Sequence, residues 1–333
     1  MSTFIPPRDL AEWHKRDLGV LWHPCTQMRK HPDSLPLMPI RRGRGAWLEG
    51  VDGIRYLDAI SSWWTNLFGH AEPRIAAAVA AQARELEHVI FAGFSHEPGL
   101  HLAESLLAVA PRESGRAPLA RVFYADNGSA AIEVALKMSF HSHRNRGDDR
   151  RTRFVALGNS YHGETLGALS MGDIPLYRRT YAPLLLQPLF APSPDAFTAE
   201  PGESAEACAL RRADALADIF AAHPGEISAL ILEPLVQCAG GMRMHHPVYL
   251  RRARAICDAH GVHLIADEIA VGFGRTGTHF WGFETQGVTP DIVTLAKGIG
   301  NGAPLAAVVT TPKIAAVMAQ KVHFNTFGGN PVV

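Results

Sequence analysis

No charge excess marks this chain: Lys plus Arg and Asp plus Glu each number 32 in 333 residues, so the formal net charge is zero. A balanced chain has no global field to hold nucleic acid or an anionic membrane. Cysteine is scarce. The four cysteines (Cys25, Cys208, Cys238, Cys257) lie far apart with no C-x-x-C, which argues against a disulfide framework and a zinc ribbon. There is no long uncharged apolar run and no charged-then-apolar leader, so neither a membrane span nor a secretory signal is expected, and a cytoplasmic, reducing setting is. Histidine is plentiful at 17, but "HSH" (His141, His143) and "HH" (His245, His246) do not put two imidazoles and a carboxylate on one helical face, so no metal is expected. The one basic stretch, "RNRGDDRRTR" (Arg144 to Arg153), has interleaved acids and reads as a solvated loop.

What is present is ordinary globular composition, 47% hydrophobic and 19% charged, with room for a large core and two domains. Residues 1–45 are rich in Pro, Arg and His with little periodicity and read as an irregular arm. "GAWLEGVDGIRYLDAI" reads as a hairpin turning at Asp52-Gly53. A helix is predicted from Glu72, with Ile75, Val79, Gln82, Leu86 and Val89 near one stripe, and a second over Gly99 to Val109. Then short apolar runs alternate with helical segments: "RVFYAD" before a helix from Ser129, "RFVALG", "SALILEP" before a helix from His246 to His260, "VHLIAD", "DIVTLA", and "LAAVVTT" before a helix from Pro312. Runs apolar on both faces suit strands covered on both sides. The expected fold is α/β, a mostly parallel central sheet flanked by helices, with residues 1–70 as an N-terminal arm and hairpin and 71–333 as the large domain. Ala191 to Ala207 is the most loop-like insertion.

"GFGRTG" (Gly272 to Gly277) matches the G-x-G-x-x-G pattern of dinucleotide sites. Four residues separate it from the preceding strand, and "THFWGFE" after it has no helical stripe, whereas a pyrophosphate needs a strand, a glycine turn and a helix N-terminus. The glycines therefore read as loop-formers beside a site. Asp267 closes an apolar strand, where a carboxylate either binds a ligand or caps the next helix. Lys297 lies between "DIVTLA" and "GIGNG"; such a lysine is a Schiff-base nucleophile if its pKa is lowered, or else emerges into water. Gly128 and Ser129 open a helix and leave N–H groups for a phosphate, unless Asn127 or Ser129 is an ordinary cap. Tyr161 and His162, in "NSYHGET", are placed to stack on an aromatic ligand or to be surface loop residues. A phosphate site, an aromatic stacker, a strand-end aspartate and a strand-end lysine together suit pyridoxal 5'-phosphate.

From about residue 20 onward the chain resembles the class III aminotransferases of the fold type I pyridoxal-phosphate superfamily, through "LIADEIAVGFGRTG" followed by "PDIVTLAKGIGNG". Up to about residue 275 it is most similar to the diaminopelargonate-forming branch of that class, through "LWHPCTQM", "YLDAISSWWTNLFGH", "NSYHGETLGALS" and "EPLVQCAGGMRMHHPVYL". "THFWGFETQGVTPDIVTLAKGIGNGAPLAAVVTTP" and "HFNTFGGNP" are more similar to alanine–glyoxylate-type members. The resemblance implies Lys297 as the cofactor-bearing lysine and proton carrier, and Asp267 as partner of the ring nitrogen. It implies Tyr161 and His162 beside the ring, Gly128 and Ser129 on the phosphate, and Glu233 close by. It implies Asn325 and Thr326 as the residues that complete the phosphate site across a homodimer, and Trp63, Trp64, Tyr161 and Phe324 as lining for the substrate. For the diaminopelargonate branch the reaction is amination of 8-amino-7-oxononanoate, usually with S-adenosylmethionine as donor. The family also implies a C-terminal small domain of roughly a hundred residues beyond Val333, carrying the arginine that holds the substrate carboxylate, and so expected to be missing here.

Overall fold

The computed structural model describes residues 9–31, 33–113, 115–316 and 325–333. The chain divides into two compact units, Met1–Ala81 and Gln82–Val333.

In the first unit, a three-stranded antiparallel sheet runs β1 (Ile40–Arg44), β2 (Trp47–Gly50), β3 (Arg55–Leu57). The β2–β3 hairpin turns at the expected Asp52-Gly53, with Gly53 at φ +79° and Glu49 opposite Arg55. The expectation of an irregular arm over residues 1–45 is corrected on two counts. Leu10–Val20 form helix α1, and β1 adds to the hairpin. The helix had a local signal: Asp9 caps it, accepting from the Glu12 N–H at 2.7 Å, the D-x-x-E spacing of a capping box. β1 ("IRRGR") had none, because its place comes from pairing with β2 rather than from an apolar alternation. Ser61–Trp64 (α2) is a single turn in which all four residues have positive φ, +47° to +66°. Bulky side chains pay for that conformation. Asp58 holds the turn together, accepting from the Ser62 N–H at 3.0 Å and the Ser62 hydroxyl at 2.8 Å, with His70 Nε2 at 2.8 Å.

Helix α3 (Pro73–Glu85) follows, and in the second unit α4 (Glu97–Ala108) starts two residues earlier than its pattern suggested because His96 serves as its cap. The second unit is built on seven strands in the order β4-β12-β11-β10-β7-β5-β6. They are β4 (Arg121–Ala125), β5 (Arg153–Leu157), β6 (Leu189–Ala191), β7 (Ile227–Leu232), β10 (His263–Asp267), β11 (Ile292–Leu295) and β12 (Ala306–Thr310). Only β12 runs against the others. A small hairpin, β8 (Val236–Gln237) and β9 (Arg243–Met244), projects from the end of β7. The helices are α5 (Gly128–Asn145), α6 (Leu166–Ser170), α7 (Pro175–Arg178), α8 (Ala205–Ala222), α9 (Val248–His260) and α10 (Pro312–Ala315). Within the segment read as a loop, Ser204 caps the start of α8 by accepting from the Ala207 N–H at 3.1 Å.

The strands are apolar throughout because both faces are covered. Leu230, Leu232, Leu264 and Ala266 pack with Leu216 and Phe220 of α8 and Tyr249 and Leu250 of α9. Ala229, Ile231 and Ile265, the alternate residues, pack with Ile132 and Ala135 of α5. Each buried Ile or Leu contributes about 1.5–3 kcal/mol.

At the other end of the sheet from the candidate site, His143 of α5 stacks on His263 at the start of β10, ring centroids 4.2 Å apart. Ser139 Oγ lies 2.9 Å from His263 Nδ1 and 2.8 Å from Ser228 Oγ, and His143 Nε2 lies 3.1 Å from the Ser228 carbonyl. Burial, reinforced by Arg151, pulls His143 down to about 4; burial, reinforced by His143, pulls His263 well below its usual value. Both folded values lie below that of the unfolded chain, about 6.5. The stability these rings carry is therefore complete above pH ~6.5 and is lost as pH falls from there toward His143's value. For His143 alone this amounts to roughly 3 kcal/mol. The melting temperature measured across pH 4 to 7 is expected to fall less steeply in His143→Phe than in the wild type; equal slopes would remove the pair from acid sensitivity.

Candidate active site

Strands β4, β5, β7, β10 and β11 all point the same way, and a candidate residue lies at or within a few residues after the end of each. The C-terminal edge of an open parallel sheet is where ligands bind. β10 ends in Asp267, 4% exposed, and its register neighbour on β11 is Thr294. Asp267 Oδ1 accepts from the Ile269 N–H at 3.0 Å and from the Thr294 hydroxyl at 3.5 Å. Its Oδ2 lies 2.7 Å from His162 Nδ1. The carboxylate is an acceptor, so Nδ1 is the nitrogen that carries the proton there.

Lys297 follows β11 at φ +49°, a left-handed conformation unusual for a residue with a side chain. Burial pulls its ammonium below the ordinary lysine value, while Asp267, Cys238 and Glu233 pull it back up. Glu233, immediately after β7, is buried, and its two oxygens accept from the Tyr161 N–H at 3.1 Å and the Cys238 N–H at 2.9 Å. Burial pushes this carboxyl up to about 7, against the opposing pull of His162. The site thus holds one carboxylate tied to an imidazole, a second carboxyl near neutrality, and a lysine amine eased toward its neutral form.

β4 leads into Asp126-Asn127 and then α5. Asn127 caps the helix by accepting from the Ala130 N–H at 2.9 Å, which leaves the N–H groups of Gly128 and Ser129 at the open end of an 18-residue helix. A Cβ on Gly128 would stand 3.1 Å from Ile269 Cδ1 and 3.5 Å from the Ala296 Cβ, so the helix start meets side chains that follow Asp267 and precede Lys297. Gly163 has φ +135°, and a Cβ there would collide with Ser129, 2.9 Å from its Cβ. Helix N–H groups, a buried carboxylate and a half-buried amine, gathered where glycine leaves room, form a donor set that fits a phosphorylated, ring-nitrogen-bearing aldehyde.

Tyr161 is half-buried and meets Tyr177 edge-on at 5.4 Å. His162 requires a correction. Its side chain has 0% exposure, so it offers no face for stacking; it lies behind Asp267 and orients that carboxylate. Asn325 donates to Asp126 Oδ1 at 3.0 Å, just ahead of the helix start, and Thr326 is exposed. Phe324 lies outside the described residues. Trp63, 57% exposed, and Trp64 belong to the first unit, in its left-handed turn.

The GFGRTG segment is a run of turns that opens no helix, the next being a short 3-10 turn at Gly282–Gln286, and Phe273, Gly274 and Gly277 have φ of +61°, +75° and +105°. Its glycines shape a loop. Its arginine went unread: Arg275 is close enough to Lys297 and Cys238 for its charge to act on both. A cation inside a loop that leaves an aspartate and returns toward a lysine was the available signal. Cys238 had none; burial pushes its thiol up to about 12, which makes it an inert wall.

The family profile described as Aminotransferase class-III matches residues 28–333. The adenosylmethionine-8-amino-7-oxononanoate aminotransferase of Helicobacter pylori is 43% identical over 300 residues, 90% of this chain and 65% of that protein. The protein of the same name from Geobacter sulfurreducens is 40% identical over 332 residues, 97% of this chain and 71% of that one. Among solved structures, the adenosylmethionine-8-amino-7-oxononanoate aminotransferase of Methanocaldococcus jannaschii superposes with a TM-score of 0.87 at 32% identity, covering 97% of this chain and 72% of that one. The omega transaminase of Pseudomonas jessenii, solved in complex with PMP, gives 0.88 at 30% identity, covering 96% and 71%. The chain spans about two thirds of the length of the Helicobacter relative. With a profile match over nearly its whole length and relatives at this identity, the chain belongs to the class-III aminotransferase family.

Proposed function

We propose that this chain binds pyridoxal 5'-phosphate and catalyses transamination of 8-amino-7-oxononanoate to 7,8-diaminononanoate, the biotin-forming reaction, with S-adenosylmethionine as amino donor. The observation that carries the chemistry is the convergence of Asp267, Glu233, Lys297 and the open N-terminus of α5 at one sheet edge. The substrate reading is supported by the names of the Helicobacter, Geobacter and Methanocaldococcus relatives. The active unit on this reading is a cytoplasmic homodimer with shared sites. Among the described residues no helix is long and apolar enough to cross a membrane.

Pyridoxal 5'-phosphate, when bound, supplies an aldehyde for the amine and an electron-withdrawing ring. The rest falls to the chain's own residues. The Gly128 and Ser129 N–H groups hold the phosphate. Asp267 keeps a proton on the ring nitrogen, steadied by His162, Thr294 and the Ile269 N–H. Tyr161 packs on the ring, its backbone fixed by Glu233. Lys297 Nζ would carry the cofactor and, when free, would take and return a proton; burial holds its ammonium below the ordinary lysine value. Asn325 and Thr326 would serve the phosphate end.

A purified, cofactor-loaded chain given 8-amino-7-oxononanoate and S-adenosylmethionine is expected to yield 7,8-diaminononanoate by mass spectrometry. Turnover of only alanine with glyoxylate, or of an ω-amino acid, would replace the substrate reading and keep the chemistry. A bound cofactor with no turnover of any pair would overturn the activity.

A further inference from the structure

Helix α5 carries more than the phosphate end. Ser129 and Glu133 are four residues apart and so share one helical face. Ser129 Oγ accepts from the Glu164 N–H at 3.1 Å. Glu133 Oε1 accepts from the Thr165 hydroxyl at 2.7 Å, the Gly167 N–H at 2.8 Å and the Ala168 N–H at 3.3 Å. Thr165 stands at the cap position of α6 and makes no capping bond of its own. A carboxylate from α5 therefore does that work, and helix N-termini favour negative charge. The two glycines on this strip leave no room to move: a Cβ on Gly163 would strike Ser129, and one on Gly167 would strike the Glu133 carboxylate, 2.7 Å from Cδ.

The segment so fixed, Gly163 to Ala168, directly follows Tyr161 and His162. Its other end is fixed too: Asn159 Nδ2 donates to the Gly240 carbonyl at 2.8 Å, and Ser160 Oγ to the Met171 carbonyl at 2.9 Å. Tyr161 and His162 are thus held between two anchors, one of which is α5 itself.

Resting on the cofactor reading above, we infer that Glu133 is a positioning residue that welds the phosphate-binding end of α5 to the loop bearing Tyr161 and His162. It fixes the span between the phosphate grip and the ring-side groups without touching the ligand. A group that sets this span lets phosphate and ring contacts act together, because a preorganised site forfeits nothing to reorganisation on binding.

The test compares wild type, Glu133→Ala and Glu133→Gln in two measurements. The first is hydrogen exchange of the cofactor-free chain. In Glu133→Ala, the amides of residues 161–168 are expected to exchange at least about tenfold faster while β7 and β10 are unchanged. The second is the ratio of dissociation constants for pyridoxal and pyridoxal 5'-phosphate. That ratio is expected to shrink roughly tenfold in Glu133→Ala and to be largely restored in Glu133→Gln, which keeps an acceptor oxygen. A mere loss of stability would weaken both ligands alike and leave the ratio unchanged. A wild-type ratio that Glu133→Ala leaves intact overturns the inference alone. A wild type that binds the phosphorylated and unphosphorylated forms equally overturns the cofactor reading itself. Should Glu133→Ala fail to fold, Glu133→Asp, whose carboxylate is one methylene too short to reach the same donors, carries the test: a few-fold smaller ratio supports the weld, and a ratio equal to wild type with unchanged exchange overturns it.

Discussion

Lys297→Ala is expected to lose turnover by at least about 10^4-fold, since it removes both the nucleophile and the proton carrier. Borohydride treatment of the cofactor-loaded wild type should leave a label that mass spectrometry maps to Lys297, and the variant should show none. The environment explains why this lysine and not another: Lys297 is half-buried, and burial holds its ammonium below the ordinary lysine value. Lys137, by contrast, lies on the exposed side of α5, and Lys313, also exposed, follows β12, the strand that runs against the others. A label on another lysine, or none on a folded, cofactor-binding wild type, would sink the assignment. Added methylamine is a further check, because a small amine can stand in for a missing proton carrier while the backbone is unchanged.

Asp267→Asn is expected to cut turnover roughly 10^2–10^3-fold while the label at Lys297 persists. Asparagine keeps the shape and can still accept from Ile269 N–H and Thr294. It cannot supply the negative charge that keeps a ring nitrogen protonated. A second consequence has a definite sign. Asp267 is the strongest of the charges that raise the Lys297 pKa against burial. Removing it should shift the deprotonation of Lys297 to still lower pH, which the pH dependence of borohydride labelling would report. An unchanged turnover, or a Lys297 transition moving upward, would take Asp267 out of its role.

Much of this arrangement was legible because the signals were local. Apolar runs in β7 and β10 announced strands, and Asp267, which closes the β10 run, followed from chain position, whereas Glu233, just after β7, came only with the family resemblance. The Asn127 cap and the Asp52-Gly53 turn are local as well. What the sequence hid was pairing at a distance. His162 and Asp267 are 105 positions apart, and only the adjacency of their loops makes a buried pair of what looked like two ring-side residues. The same holds for Glu133 and the α6 cap. β1 hid for a related reason, as its residues carry no apolar pattern and its partner strand decides its conformation. Helix α1 was different: its capping box was present and outweighed by the surrounding Pro, Arg and His.

The order of the seven strands also bears on how the molecule is made. β4, which delivers the phosphate-binding end of α5, has one neighbour in the sheet, β12, and that strand begins at Ala306. Until the ribosome has released residue 310 or so, β4 has no edge to join, however early it was synthesised. β5, β7, β10 and β11 can assemble beforehand, since each finds its partner among strands already emerged. On the proposed assignment, a nascent chain therefore places Asp267 and Lys297 before the start of α5 is seated, and loop-closure entropy makes that last, long-range pairing the slow one. Cofactor capture is confined to the final stage of folding, and a chain halted short of β12 would be a sheet with a lysine and nothing to hold the vitamin in place.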